Sequence, residues 1–310
     1  METSKLFAVF GNPILHSKSP QLFNSVFRSF GINAFYTRIR PQSAANLIDI
    51  IRTMPISGAN ISAPFKRDVL DLVDIVSLDA EKIGAINTIV NCDGRLIGYN
   101  TDHYGVTQSL KEAGINLLNS NCLVLGGGGA ARAAVYGLMK QGAKVFSCNR
   151  TISKAKSIAD DFGCTLMNWQ EYDSSFNFDV VVSTIVPEAI PCFTDSVKFK
   201  YLFDASYKPS IVYQIAQAKG AKVISGERWL LHQAIESFRL FIGDNPPLEV
   251  MENALAHKLN KLDLKILNYP DSTTAEMCQM QADLIISSSD MNSATINEIT
   301  DEETRKAFTY

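Results

Sequence analysis

The sequence predicts an α/β protein built as two domains. Short apolar runs alternate with stretches of helical periodicity along most of the chain, the pattern of a largely parallel sheet covered by helices. A run of four glycines separates one such strand from one such helix. The length, 310 residues, accommodates two domains or one large one.

The glycine run lies in the most informative segment. Cys122-Leu123-Val124-Leu125 reads as a buried strand, and Ala130 to Lys140 as a helix with Ala131, Ala134, Val135 and Leu138 on one face. Lys144 to Cys148 reads as the next strand, which completes a βαβ unit. Gly126, Gly128 and Ala131 fit the G-x-G-x-x-G/A pattern of a dinucleotide site. The first glycine of that pattern makes the tight turn, the second lets backbone approach the pyrophosphate, and the third small residue lets helix and strand pack closely. The helix N-terminus offers unpaired N–H groups to the phosphates. An NAD site normally carries a carboxylate at the end of the second strand; here Cys148-Asn149-Arg150-Thr151 stands there, with Lys154 one turn later. A guanidinium in place of a carboxylate favours a 2′-phosphate, hence NADP, over a merely solvated Arg150. The loop lacks the G-K-[ST] ending of an ATP-binding loop.

Composition narrows the classes. Hydrophobic residues at 46% and charged residues at 20% describe an ordinary globular protein. A net charge of −3 without a basic tail argues against nucleic acid or an anionic membrane as partner. The N-terminal Met1-Glu2-Thr3-Ser4-Lys5 does not open a signal peptide, and no apolar run approaches a membrane span. Six scattered cysteines without a C-x-x-C pair suit reduced thiols in the cytoplasm and no metal site.

In chain order, Lys5 to Phe10 is a strand ending at Gly11-Asn12-Pro13. His16-Ser17-Lys18-Ser19-Pro20 precedes a helix through Phe30; Ser19 either caps that helix or joins Ser17 in holding a carboxylate. A strand at Ala34 to Ile39 and a helix at Gln42 to Thr53 follow. Ser57 to Ser62 is the next strand, ending in Ala63-Pro64-Phe65-Lys66. Lys66 there is either a solvated residue or a ligand-facing one, since open α/β sheets bind ligands beyond the carboxyl ends of their strands. Asp68 to Val76 reads as a helix with a solvated acidic face. Ile83 to Val90 and Arg95 to Asn100 read as a hairpin turned at Cys92-Asp93-Gly94. Asp102 opens the following helix, as its N-cap or as an acid/base partner for Lys66. After Arg150 the α/β rhythm continues. Helices are expected at Lys154 to Phe162, Ile211 to Lys219 and Gly226 to about Gly243, with strands at Asp179 to Thr184, Tyr201 to Ala205 and Lys222 to Ile224. Gln233 is either a cleft residue or a helix-surface amide, and His232 has only a weak claim to chemistry. Pro246 to about Leu267 reads as a last helix, with Leu248, Met251, Leu255 and Leu259 on one face. Residues 263–310 are polar and read as a tail of uncertain order.

From about Leu6 to Leu259 these pieces resemble the shikimate dehydrogenase family. The matching segments are Gly11-Asn12-Pro13 with Ser17 to Pro20, Asn60 to Lys66, Ile83 to Thr88, Gly98 to Asp102, Gly126 to Arg132, Asn149 to Thr151, Asp204 with Tyr207 and Pro209, and Leu230 to Ala234. The resemblance implies an N-terminal α/β substrate domain with a mostly parallel mixed sheet over residues 1–101, completed by helices from about 230–262. It implies a Rossmann-like NADP-binding domain over 102–229, and reversible NADP-dependent reduction of 3-dehydroshikimate to shikimate by a monomer or homodimer. Ser17 and Ser19 would bind the substrate carboxylate, while Asn60, Ser62, Asn87, Gln233 and Tyr207 would line the pocket. Lys66 and Asp102 would be the catalytic pair. Gly126, Gly128, Gly129, Ala130, Asn149, Arg150, Thr151, Lys154 and Gly226 would hold the cofactor.

The chain departs from the family pattern in places. Ser62 replaces a threonine and keeps the hydroxyl, and Trp229 stands where methionine is usual beside the nicotinamide. Ser183-Thr184-Ile185 is a loose version of an Asn-containing segment, and residues beyond about Lys261 have no counterpart. The rival readings are a quinate/shikimate dehydrogenase using NAD, a methylene-tetrahydrofolate dehydrogenase, and a non-catalytic NADP- or shikimate-binding regulator. Asn149-Arg150-Thr151, the paired serines and the intact Lys66 and Asp102 argue against them in turn.

Overall fold

The computed structural model describes residues 4–54, 56–169, 177–190, 197–256, 265–269, 282–287 and 299–304. Elements in the first hundred residues are β1 (Lys5–Phe10), α1 (Ser19–Ser29), β2 (Ala34–Arg40), α2 (Ala44–Thr53), β3 (Ile56–Ile61), β4 (Ile75–Val76), α3 (Leu78–Ile83), β5 (Thr88–Cys92) and β6 (Arg95–Tyr99). Next come α4 (Asp102–Glu112), β7 (Asn121–Leu125), α5 (Gly129–Lys140), β8 (Lys144–Cys148), α6 (Ile152–Phe162), β9 (Thr165–Met167), β10 (Asn177–Ser183) and β11 (Lys198–Asp204). The last are α7 (Ile211–Ala218), β12 (Lys222–Ser225), α8 (Gly226–Ile242), α9 (Leu248–Leu255), β13 (Ile266–Tyr269) and β14 (Leu284–Ser287). Two compact units result: Met1–Glu81, Ala85–Asn100 and Ser237–Tyr310 form one, and Lys82–Gly84 with Thr101–Glu236 form the other.

The first unit holds an eight-stranded sheet in the order β13-β14-β2-β1-β3-β5-β6-β4. It is mixed and mostly parallel: β5 alone runs against its neighbours, β3 and β6. β1 is buried along five of its six residues because both faces of a parallel sheet are covered. On one face Leu6, Ala8 and Phe10 meet Ile39, Leu47, Ile51 and Ile56. On the other, Phe7 lies 5.6 Å from Phe27 and 5.1 Å from Phe241, and Phe23 stacks on Tyr36 at 4.4 Å. The second unit is a wholly parallel six-stranded sheet, β12-β11-β10-β7-β8-β9. Its order reverses between β10-β7 and β7-β8, the switch point at which such folds bind nucleotides.

Three stretches differ from the reading of the sequence. Residues expected as a helix from Asp68 to Val76 instead make turns, one short 3₁₀ turn at Leu70–Leu72, and β4. The Asp74 carboxylate accepts from the Leu96 N–H (2.7 Å) and pairs with Arg52 (3.1 Å), which draws the chain onto β6, where β-branched Ile75 and Val76 pair with Ile97 and Gly98. The first hairpin strand starts at Thr88 rather than Ile83, because α3 runs to Ile83 and the Asn100 amide holds the Ala85 carbonyl (2.9 Å) in the connecting loop. Beyond residue 262, where a polar tail is expected, β14 pairs with β2 and β13 with β14, and Ala282, Leu284, Ile285 and Ile286 are buried. The predicted last helix is observed to Leu255; its Leu259, the cysteines Cys192 and Cys278 and most of the serine run lie outside the described residues.

Gly105 in α4 faces Trp229 of α8 at close range. A Cβ there would lie 2.7 Å from Trp229 Cδ1 and 2.9 Å from the Trp229 carbonyl oxygen. Alanine in a helix interior normally gains about 1 kcal/mol over glycine. Overpacking against backbone that cannot yield costs about 1–3 kcal/mol, so the clash wins. Gly105→Ala is therefore expected to lower Tm in a thermal melt, whereas a solvent-facing helix glycine changed to alanine would raise it.

Candidate active site

In the first unit the candidate substrate residues gather at one end of the sheet. β1 and β3 are parallel neighbours, so the Gly11–Ser19 loop and the Ser62–Lys66 turn leave from the same edge. Backbone bonds join them: Ser62 N–H donates to Phe10 O (2.7 Å) and Asn12 N–H to Ala63 O (3.1 Å). β5 runs against β3, with Asn60 opposite Thr88, so Asn87 arrives at that edge from the other direction. Asn87 O accepts from Ile61 N–H (2.7 Å), and Lys66 O accepts from Ile86 N–H (2.7 Å). Ser17, Ser19, Asn60, Ser62, Lys66 and Asn87 are thus brought to one edge by strand register. Lys66 is half-buried in a turn, not at a solvated helix start.

Ser19 does not cap α1. It is the first helical residue, Lys18 takes the cap position without a side-chain bond, and the Ser19 hydroxyl is buried 3.3 Å from that of Ser17. Ser17 Oγ instead accepts from the Ser19 N–H (3.4 Å). Asn60 is buried and fully engaged: its Oδ1 accepts from the Tyr36 hydroxyl (2.7 Å), and its Nδ2 donates to Thr88 Oγ1 (3.0 Å) and Ser237 Oγ (2.9 Å). Thr88 Oγ1 in turn donates to Asn87 Oδ1 (3.0 Å), so Asn60 supports Asn87 from behind the edge. Burial holds the Tyr36 phenol well above its ordinary value, although Arg38 and bonds to Ser19 and Asn60 act the other way.

The second unit carries the remaining candidates. Asp102 is 5% exposed and occupies the first turn of α4, where the positive end of the helix dipole favours a carboxylate. Its capping reading is not met, since Thr101 holds the cap position without a side-chain bond. Gln233 is buried rather than a surface amide: Nε2 donates to Leu230 O (3.0 Å), and Oε1 accepts from Thr101 Oγ1 at 3.5 Å. Tyr207 sits on a loop fixed by Asp204, whose carboxylate accepts from Ser206 N–H (3.1 Å) and Ser210 Oγ (2.5 Å). His232 is occupied by Glu112 (3.1 Å), which also pairs with Arg228. Trp229 packs on Phe203 (5.4 Å), and its indole N–H is buried without a hydrogen-bond partner.

The glycine turn is shaped by sterics. Gly126 has φ +134, and a Cβ there would lie 2.0 Å from Thr184 Oγ1, itself tied to Leu125 O (2.8 Å). Gly128, at the N-terminus of α5, is exposed, and nothing lies within 4 Å of a Cβ built on it. Gly129 and Ala130 follow as the first α5 residues, each half-buried. Gly127 ties the turn to the end of β8: a Cβ there would lie 2.7 Å from Lys154 Cβ and 3.1 Å from Asn149 Nδ2. Asn149 Nδ2 donates to Thr151 O (3.0 Å), while Arg150, Thr151 and Lys154 are exposed. An open backbone cradle, an adjacent helix N-terminus and two exposed cations with no carboxylate suit a dinucleotide bearing a 2′-phosphate. Gly226 has a packing role as well, since a Cβ there would lie 2.4 Å from Ala205 O.

Sequence reasoning missed Tyr36, Thr88, Ser237 and Arg38, all buried polar residues of the first unit. A tyrosine and an arginine inside the predicted strand Ala34 to Ile39 were the available signal for two of them. Thr88 and Ser237 carry none, because hydroxyls are common in strands and helices.

Comparison with known proteins places the chain in a family. Residues 9–89 match the family model described as the shikimate dehydrogenase substrate binding domain, and residues 108–217 match shikimate / quinate 5-dehydrogenase. The NADP(+) shikimate dehydrogenase of Aquifex aeolicus is 35% identical over 262 residues, covering 81% of this chain and 96% of the relative. That of Pyrococcus abyssi is 34% identical over 265 residues, covering 83% and 99%. Among solved structures, the Aquifex aeolicus enzyme superposes with a TM-score of 0.76 at 35% identity, over 83% of this chain and 99% of that one. A Thermus thermophilus shikimate 5-dehydrogenase in complex with NADP(H) and shikimate gives 0.73 at 32% identity, over 81% and 98%. The chain belongs to the shikimate dehydrogenase family.

Proposed function

We propose that the protein catalyses the reversible NADP-dependent reduction of 3-dehydroshikimate to shikimate, a step of aromatic amino acid biosynthesis, as a monomer or homodimer. The observation that carries this reading is the end of the first sheet where the segments bearing Ser17, Ser19, Lys66 and Asn87 are joined by backbone bonds and strand register, in a member of this family. Free Cys92, Cys122, Cys148 and Cys164 suit a reducing, cytoplasmic setting.

NADPH, when bound, supplies the hydride. Gly126, Gly128, Gly129 and Ala130 offer backbone to its pyrophosphate, and Gly226 borders the cofactor. Arg150 and Lys154, with Asn149 and Thr151, grip the 2′-phosphate. Ser17 and Ser19 bind the substrate carboxylate, while Ser62, Asn87, Tyr207 and Gln233 set the orientation of the ring, with Asn60 holding Asn87. Lys66, as ammonium, donates its proton to the ketone oxygen as negative charge develops there, from about 2.6–3.2 Å or through one water. Asp102 would be the acid/base partner of Lys66, relaying the replacement proton from solvent after the lysine has given up its own. The description shikimate / quinate 5-dehydrogenase also leaves quinate as a second substrate of the same site.

Absorbance of NADPH formed from shikimate and NADP, run beside quinate and NAD, tests the assignment. Turnover is expected with the first pair and little with the second; faster turnover of quinate with NAD would reverse the assignment, and binding without turnover would make the protein a regulator. Lys66→Ala should lower kcat by about 10²–10⁴ while changing KM for shikimate far less, the range for loss of a positioned proton donor. Unchanged turnover would remove Lys66 from the chemistry. Arg150→Ala should weaken NADPH about tenfold or more and NADH little, since the guanidinium contacts only the 2′-phosphate. An equal loss for both cofactors would refute that contact.

A further inference from the structure

The C-terminal segment reaches the substrate edge. The relatives from Aquifex aeolicus and Pyrococcus abyssi are matched over 96% and 99% of their own lengths but cover only 81% and 83% of this chain. The family motifs stop by Leu259, so the strands and the helical turn beyond it are additional to that pattern. β14 adds to the edge of β2, with Ile285 opposite Ile39 and Ile286 opposite Arg40. Just before β14, Ala282 O accepts from Thr37 Oγ1 (2.5 Å) and Asp283 O accepts from Arg38 Nη1 (3.1 Å). The helical turn at 299–304 then buries Glu303 completely. Its carboxylate accepts from the Ile14 N–H (2.9 Å), the Leu15 N–H (2.7 Å) and Arg40 Nη1 (3.3 Å), while Glu302 takes Arg40 Nη2 (2.7 Å).

Those two N–H groups open the loop that carries Ser17 and Ser19. Ile14 O accepts from the Ser17 N–H (2.9 Å), and Ser17 O is gripped by Arg38 through Nε (2.9 Å) and Nη2 (2.7 Å). The loop is therefore held by one buried anion from the C-terminal segment and one buried cation from β2. Two N–H groups in so dry a place need an acceptor; Glu303 Oε2 takes both, with Oε1 a second acceptor for the Ile14 N–H at 3.1 Å.

We infer that Glu303 is a positioning residue for substrate binding, fixing the Ile14–Leu15 turn and through it the Ser17 and Ser19 hydroxyls. This inference rests on the reading of those serines as carboxylate ligands. Glu303 touches neither substrate nor cofactor; it sets where the hydroxyls stand.

Glu303→Gln in the full chain keeps the shape and one acceptor oxygen. Its KM for shikimate should rise about five- to tenfold, the size of one weakened charge-assisted hydrogen bond, with kcat at saturating shikimate and KM for NADP within about twofold. A merely structural residue would lower Tm or the active fraction and leave KM alone, and that result would overturn the inference. Ser17→Ala separates the two layers. If Ser17→Ala raises KM and Glu303→Gln does not, the positioning role fails and the serine reading stands. If Ser17→Ala leaves KM unchanged, the serine reading itself fails, and this inference with it. The double variant should raise KM little beyond Ser17→Ala alone; multiplied single effects would show that Glu303 does not act through Ser17. Should Glu303→Gln not fold, Arg40→Gln carries the test. It strips the carboxylate of its cation but keeps both backbone bonds, so a two- to threefold rise in KM is expected, roughly the share of one partly buried ion pair, and no rise would overturn the role.

Discussion

Tyr36, Asn60, Thr88 and Ser237 lie where water cannot reach them, and the first unit depends on the fact that each finds its partners in the others. A buried polar group left unpaired costs about 1–3 kcal/mol, so this set forms as a whole or not at all. Its members come from β2, β3, β5 and α8. Satisfying them fixes the stagger of three strands and one helix at a single level of the sheet. The residues just beyond that level are Ser62, Lys66 and Asn87, and Ser19 reaches the same set through Tyr36. The hydrogen-bond requirement of the interior thereby becomes the geometry of the substrate edge.

The cofactor unit reaches precision by a different route. Around Gly126 the governing term is exclusion: no side chain fits beside Thr184, and the backbone takes a φ that other residues avoid. The turn is narrow on its protein side and open at Gly128, a shape that suits a phosphate at the α5 N-terminus. Arg150 and Lys154 contribute little to folding, since exposed charges are hydrated and screened. In the proposed cofactor site their free energy would be realised against the ligand's 2′-phosphate. Substrate edge and cofactor turn thus differ in kind, one a satisfied polar network and the other a sterically cut cradle.

This difference explains what could be read from the sequence. The βαβ unit was legible nearly to the residue, because its strands are continuous apolar runs and the turn chemistry of Gly126 and Gly128 is local. The residue types at Ser17, Lys66, Asp102 and Arg150 were legible because they sit at predicted element ends. The Asp68–Val76 segment was misread because its conformation is decided by Asp74 bonding to Leu96 and Arg52, partners 22 residues away. The caps were misplaced by one residue at Ser19 and Asp102, since chain geometry on entry, not side-chain type, decides where a helix begins. Glu303 was invisible. Its partners are backbone N–H groups 289 and 288 positions earlier, which carry no residue identity at all.

Burying Arg38 and Glu303 does not follow from stability. Removing a charge from water costs several kcal/mol, and apolar side chains of similar volume often hold a fold equally well. Burial pulls the Arg38 guanidinium down to about 10, even with Asp283, Tyr36 and Glu303 acting to keep it charged. What an apolar replacement could not supply is direction. The guanidinium closes on one carbonyl through two nitrogens, and the carboxylate closes on two N–H groups, both through Oε2, with Oε1 also near the Ile14 N–H. Each fork fixes an angle as well as a distance, and together they fix both ends of the turn that leads to Ser17 and Ser19. Leucine or methionine at either position would fill the volume and leave that turn free to rotate. On the positioning role inferred above, the interior charges act as orienting devices, whose desolvation cost is offset by the definition they give to the Ser17 and Ser19 hydroxyls.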